Sequence, residues 1–278
     1  MEHSAVESHA PDATAGALLQ LRGVSKHFPG VMALQNVSLD IARGEVHVLL
    51  GENGAGKSTL INLLAGIYVA DKGDITFDGR PYRPRTPTDA YRAGIRVVHQ
   101  ELNMLSHLTV AENLLFENLP RRHGLVNYAE MNRRAAALLK QVGLDIPPTI
   151  PVERLGVAQT QLVEIAKALC HESKLLILDE PTATLTSKEI ERLFGILRQL
   201  KANNVTIIYI SHRLHEIFEI GDRVTVLRDG QVVATRPLAG LTIAEIVRMM
   251  VGRSIKAEHM FREDVQEIKK SYFRKSAD

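Results

Sequence analysis

The sequence predicts an α/β protein, a mostly parallel sheet covered by helices, with a helical segment inserted part-way along. Three observations carry that expectation. Apolar strand-like runs alternate with helix-period segments through the last third of the chain. A glycine-rich loop joins an apolar run to a helical one across residues 45–64. Between about residues 101 and 172 the pattern turns helical and interrupts the alternation.

Residues 1–16 are small and polar, with His3, His9, Pro11 and Asp12. They lack the basic start and apolar stretch of a secretory signal and read as a flexible leader. Residues 18–24 read as extended, and 37–41 alternate at period two. Residues 45–50 are mostly apolar, as in a strand buried on both faces. The strand at 75–77 ends at Asp78-Gly79, a tight-turn pair, after which Pro81, Pro84 and Pro87 break the pattern.

Residues 129–142 put Met131, Ala135, Leu138, Leu139 and Val142 on one helix face, and Gly143 suits its end. Pro147, Pro148 and Pro151 mark a connector. Leu162, Ile165, Ala166 and Leu169 follow the spacing of a packed helix, which Cys170 closes as a small core residue. Residues 174–178 and 205–210 read as buried strands. Between them Thr186 and Glu189 have capping-box spacing, ahead of a helix carrying Ile190, Leu193, Phe194, Leu197 and Leu200. Residues 224–227 lead into an Asp229-Gly230 hairpin turn toward Val232-Val233.

Composition narrows the partners. The 278 residues carry 34 Lys+Arg against 32 Asp+Glu, a formal charge of +2 that gives no general drive toward nucleic acid or anionic lipid. One cysteine excludes an internal disulfide framework and a cysteine-rich metal site. No run approaches the ~18–20 apolar residues that cross a bilayer, so a membrane role is expected to come through a partner.

The chemistry is concentrated in two motifs. Gly51-Glu52-Asn53-Gly54-Ala55-Gly56-Lys57-Ser58 matches the phosphate-loop pattern, with Thr59 in the helix that follows. Glycines let successive N–H groups point at phosphate oxygens, and the helix adds its positive end. Lys57 suits the β- and γ-phosphates of a nucleotide, and Ser58 suits Mg²⁺. A phosphate loop needs an acid on a second strand, and residues 175–178 run straight into Asp179 and Glu180. Asp179 fits the metal; Glu180 fits polarisation of an attacking water. Lys57 and Asp179 stand 122 residues apart, far more than in small GTPases, and no guanine-reading Asn/Thr-Lys-x-Asp is present.

This layout resembles the nucleotide-binding subunit of ATP-binding cassette (ABC) transporters, most closely the sugar-importer branch, over about residues 18–255. The resemblance implies a P-loop NTPase core with a mostly parallel sheet, an N-terminal antiparallel β subdomain and an inserted α-helical subdomain at about 101–172. The single cassette would span residues 17–256, with 257–278 a helical tail or linker remnant. The resemblance implies ATP and Mg²⁺ as ligands and ATP hydrolysis as the activity. By the same likeness Phe28 stacks on adenine, Gln100 contacts Mg²⁺ and senses the transmembrane partner, and His212 contacts the γ-phosphate. Physics agrees: Phe28 offers a π face, and His212 closes a strand at the carboxyl edge where ligands of α/β sheets sit. The partners implied are a second cassette, membrane permease subunits and, indirectly, an extracytoplasmic sugar-binding protein, with no nucleic acid. The chain would lie peripherally on the cytoplasmic face of the membrane.

The family signature, Leu-Ser-x-Gly-Gln, completes the ATP site of the opposite subunit. Here it reads Leu155-Gly156-Val157-Ala158-Gln159. Gly156 offers no hydroxyl to a γ-phosphate, and Ala158 adds a methyl where a backbone N–H should approach closely. Two readings stay open: an impaired signature, or one in which the helix dipole and remaining N–H groups suffice. The first leaves as an alternative function a nucleotide-dependent binding or regulatory cassette with little turnover. In the tail, Phe261, Val265, Ile268 and Tyr272 share one helical face and lead to a basic end at Lys269, Lys270, Arg274 and Lys275.

Overall fold

In the computed structural model, which describes residues 16–98, 104–170 and 173–251, two sheets are wrapped by eight α-helices of the described residues. The chain starts with β1 (Ala17–Phe28) and β2 (Val31–Ala42), an antiparallel hairpin turned at Pro29-Gly30. Next come β3 (Val46–Leu50), α1 (Lys57–Leu64), β4 (Lys72–Phe77), β5 (Arg80–Pro81), α2 (Pro87–Ala93) and β6 (Ile95–Val98). The middle holds α3 (Val110–Leu115), the short pair β7 (Arg121–Arg122) and β8 (Leu125–Val126), α4 (Tyr128–Gln141) and α5 (Val157–Ala168). Then follow β9 (Leu175–Asp179), α6 (Ser187–Ala202), β10 (Thr206–Ile210), α7 (Leu214–Ile220), β11 (Arg223–Arg228), β12 (Gln231–Pro237) and α8 (Ile243–Val251).

The first sheet is antiparallel, in the order β2-β1-β4-β5. The second runs β12-β11-β3-β10-β9-β6, with every neighbour pair parallel except β11 and β12. The architecture is therefore the expected one: a mostly parallel sheet, an antiparallel β unit at the N-terminal end, and helices α3–α5 between β6 and β9.

Burial explains the near-continuous apolar strands. Leu176, Leu178, Ile207 and Tyr209 face one side, packing with residues of α3 to α6. Their alternates Leu175, Ile177, Ile208 and Ile210 face the other, packing with α1 and the antiparallel sheet. A strand covered on both faces has no polar positions to spare. A third cluster joins Val48, Val224 and Val226 to Leu214 and Ile217 of α7 and Ile246, Val247 and Met250 of α8. Among the described residues no helix is long and apolar enough to cross a membrane.

The helix ends follow local chemistry. The Thr186 N–H and hydroxyl both donate to the Glu189 carboxylate, at 2.8 Å each, opening α6 as its spacing predicts. The proline-rich stretch differs from expectation. Pro87 does not break structure but opens α2, where its missing N–H is not needed, behind a Thr86 cap that accepts from the Asp89 N–H. Cys170 donates to the carbonyls of Leu114 and Ala166, and burial pushes its thiol up to about 12, which fits an inert core residue.

Asp78, in the β4–β5 turn, joins the two sheets. It accepts from Lys174 Nζ at 2.6 Å, just ahead of β9, and from Arg43, ahead of β3. Lys174 and Arg43 hold its carboxyl down to about 2, from an ordinary 3.8. A depressed folded-state value stabilises above the unfolded one, and the gain is lost as pH falls through the folded one. Asp78→Asn, which tolerates the left-handed backbone there (φ 52), should lower the melting temperature at neutral pH. The difference from wild type should vanish between about pH 4 and pH 2 in thermal scans; a gap that persists at pH 2 would show the pin is not ionic.

Candidate functional site

The fully buried strand β3 delivers residue 51 to the edge of the parallel sheet, and α1 begins six residues later. The loop between them is braced from two directions. The Ala55 N–H donates to the Glu52 carbonyl at 3.1 Å, and the Ala55 carbonyl accepts from the Gly230 N–H at 3.2 Å. Gly230 in turn accepts from the Gln35 N–H at 2.8 Å, so the β11–β12 turn and β2 both hold the loop. Gly56 sits at φ 104, and a Cβ there would lie 2.6 Å from the Ala33 carbonyl oxygen. No side chain caps α1, so its positive end is left facing the loop.

Lys57 lies back along this loop, with Nζ donating to the Gly51 carbonyl at 2.7 Å and the Glu52 carbonyl at 3.1 Å. Burial pushes its ammonium below the ordinary lysine range, and the charges of Asp179 and Glu180 oppose that shift. The structure thus brings Lys57, Asp179 and Glu180 into one electrostatic neighbourhood. Ser58 is exposed and Thr59 half-buried at the start of α1.

Asp179 ends β9 level with Ile210 at the end of β10. The next residue, Glu180, has φ 49 and donates its N–H to the Ile210 carbonyl at 2.9 Å. A glutamate in left-handed backbone is uncommon, and such strain concentrates at functional positions. Its Oε1 lies 3.2 Å from Nδ1 of His212, whose side chain is 67 % exposed. Strands β3, β10 and β9 are adjacent and parallel, so the loop, the histidine and the two carboxylates all emerge at one carboxyl edge.

Phe28, half-buried at the end of β1, packs edge-on against Tyr68 with ring centroids 5.1 Å apart, and Lys26 Nζ lies 5.5 Å from its centroid. Sequence reasoning missed Tyr68 and the Gly230 brace, since neither contact leaves a local signal. Gly156 is the N-cap of α5; its N–H donates to Gln159 Oε1 at 3.1 Å and its carbonyl accepts from Thr160 Oγ1 at 3.1 Å. Val157 is exposed, Ala158 packs half-buried against the core, and Leu155 does the same. A Cβ on Gly156 would meet only Gln159 Oε1, at 4.0 Å. Gln100 lies outside the described residues, as do the leader through residue 15 and the tail from 252.

A separate cleft of about 340 Å³ opens where α1, α2, β6, α3 and α5 meet, lined by Ile67, Tyr91, Arg96, Leu114, Glu117 and Lys167 among others. None of the loop or carboxylate residues lines it. Among the described residues no three His, Cys, Asp or Glu side chains converge to cage an ion. A magnesium ion needs no such cage, because it takes one or two protein oxygens together with phosphate oxygens.

Residues 34–183 match the family described as ABC transporter. The chain is 50 % identical over 242 residues to a putative ribose/galactose/methyl galactoside import ATP-binding protein of Burkholderia ambifaria, covering 87 % of this chain and 47 % of that one. It is 52 % identical over 241 residues to a ribose import ATP-binding protein of Rubrobacter xylanophilus, covering 87 % and 48 %. The chain spans about half the length of these curated relatives. Among solved structures it resembles the ADP conformation of an ATP-binding cassette of an ABC transporter, with TM-score 0.73 and 28 % identity over 85 % of this chain and 99 % of that one. A dimeric cassette bound to ADP and Pi matches with TM-score 0.68 and 27 % identity, over 80 % and 100 %.

The bracing predicts a graded response to added methyl groups. Gly54→Ala, at φ 84 with open space around it, should cost only the left-handed penalty of about 1–2 kcal/mol. Gly56→Ala also collides with backbone and should cost about 1–3 kcal/mol more by denaturant unfolding. Equal costs would contradict the brace.

Proposed function

The chain belongs to the ABC transporter family, and from its edge geometry we propose that it binds and hydrolyses ATP to energise a membrane importer of carbohydrate. The carrying observation is the convergence of Lys57, Asp179, Glu180 and His212 beside a phosphate loop whose backbone is pinned. The loop residues Gly51, Asn53, Gly54, Ala55, Gly56, Lys57, Ser58 and Thr59 would receive the phosphates, and Phe28 would stack on the base. Ser58 and Asp179, with Gln100, would hold Mg²⁺. When bound, the ion supplies positive charge to the phosphate oxygens.

In this reading Glu180 orients the attacking water or takes its proton, and its contact with His212 sets where that carboxylate points. Lys57 leaves two backbone carbonyls for phosphate oxygens, and His212, exposed at the edge, donates to the γ-phosphate. Both neutralise charge that develops as the terminal phosphoryl group departs.

The partners follow from surfaces and from the relatives. The segment Leu155 to Gln159 opens α5 at the surface and would complete the site of a second cassette, in keeping with the dimeric neighbour. Val98, which lines the cleft beside β6, stands two residues before Gln100, and the cleft would receive a permease segment. Carbohydrate is the cargo class because the relatives bear sugar-import names, and an extracytoplasmic sugar-binding protein would act through the permease. The chain would sit peripherally at the cytoplasmic face.

Two measurements test this reading. Lys57→Ala should abolish MgATP binding or turnover, and retained activity would refute the site. Glu180→Gln should keep nucleotide binding and lower phosphate release by about 10²–10⁴-fold; unchanged low turnover would instead favour a binding cassette with little hydrolysis.

The signature gives a further test. Since a Cβ fits at Gly156, Gly156→Ser should fold normally and add the missing hydroxyl. In the assembled complex we expect ATP turnover to rise about tenfold, the lower end for one charge-assisted hydrogen bond. Ala158→Gly, which removes a core methyl and adds backbone freedom, is the second arm. No gain in either arm or both together would refute impairment.

A further inference from the structure

One buried carboxylate outside the groups already assigned is held by the same two loops that carry Glu180 and His212. Glu216, in the first turn of α7, is fully excluded from water. Its Oε2 accepts three hydroxyl donors: Thr182 Oγ1 at 2.9 Å, Tyr209 Oη at 2.8 Å and Ser211 Oγ at 2.8 Å. Its Oε1 accepts from Arg213 Nη1 at 3.4 Å.

The placement of these donors is what distinguishes the cluster. Thr182 follows Glu180 by two residues, and Ser211 and Arg213 flank His212 on both sides. The Arg213 N–H donates to Ser211 Oγ at 3.0 Å, and Arg213 Nη2 reaches the Ala183 carbonyl at 3.4 Å. The ring therefore closes from α7 through both loops. Burial and then the Glu216 charge push the Tyr209 hydroxyl far above its ordinary value, so it stays a donor. A carboxylate so deeply buried persists only when its lone pairs are satisfied, and hydroxyl donors to a charged oxygen are stronger than those to a neutral one.

We propose that Glu216 is a positioning residue that ties the loop after β9 to the loop after β10, and so sets the 3.2 Å contact between Glu180 and His212. It touches neither phosphate nor water; it acts through those two side chains. The inference rests on the ATPase reading for its consequence, but its geometric core can be read without turnover.

The test uses the full chain with ¹⁵N-labelled histidine, the His212 imidazole signals being assigned by their loss in His212→Ala. Glu216→Gln keeps the shape and removes the charge that gathers the donors. The His212 signals should move in this variant toward the values they take in Glu180→Gln. Thr182→Val, which removes one donor, should move them part of the way, and it keeps the question answerable if Glu216→Gln does not fold. Unmoved His212 signals in a folded variant would overturn the proposal.

Turnover supplies the second readout. Glu216→Gln should lower kcat by about tenfold while KM for ATP stays within about twofold, and it should add no further loss in a His212→Ala background. Losses that multiply in the double variant would mean that Glu216 acts independently of His212 and would overturn the proposal. A wild-type chain without ATP turnover would count against the ATPase reading alone, since the histidine signals still decide the clamp.

Discussion

Parallel strands buried on both faces leave the chain one place to assemble polar chemistry, the carboxyl ends where the backbone leaves the sheet. Here β3, β10 and β9 lie side by side, with alternate residues packed against the antiparallel sheet on one side and helices α3–α6 on the other. Neither face has room for an unpaired charge. Within β3 and β10 the buried polar side chains His47, Thr206 and Tyr209 are each hydrogen-bonded. The remaining polar groups stand at the carboxyl ends: the glycine loop after Leu50, Ser211 and His212 after Ile210, and Asp179 with Glu180 at the close of β9.

That concentration sets demands which the surrounding structure meets. Partial burial lowers the Lys57 ammonium, and the field of two carboxylates opposes that shift while backbone carbonyls hold the group. Glu180 departs from ordinary backbone to keep its place against Ile210 and His212. The antiparallel sheet takes part as well. Its Ala33 carbonyl leaves no room for a side chain at Gly56, and Gln35 reaches the loop through Gly230. The Asp78 turn fixes the same sheet to the starts of β3 and β9. The two sheets act as one frame around the loop.

How much of this was legible depends on how local the cause is. The phosphate loop, the apolar run into Asp179, the Asp229-Gly230 hairpin and the Thr186 cap each write their geometry into a few consecutive residues, and all stand where their spacing places them. The α2 helix was hidden because Pro87 carries opposite meanings inside a helix and at its first position, and only the Thr86 cap decides between them. Tyr68 against Phe28, Gly230 against Ala55 and the donors around Glu216 are meetings across long stretches of chain, which no local pattern records. The β7–β8 pair is two residues a side, too short for any periodicity. Gln100 remains a proposal carried by resemblance.

The most direct test is a crystal structure of the chain with Mg²⁺ and a non-hydrolysable ATP analogue. The account predicts phosphates cradled by residues 51–58 and the metal beside Ser58 and Asp179. It also predicts that Lys57 Nζ leaves the Gly51 and Glu52 carbonyls, where it now donates, for phosphate oxygens. A nucleotide bound elsewhere, with Lys57 still held by both carbonyls, would contradict it.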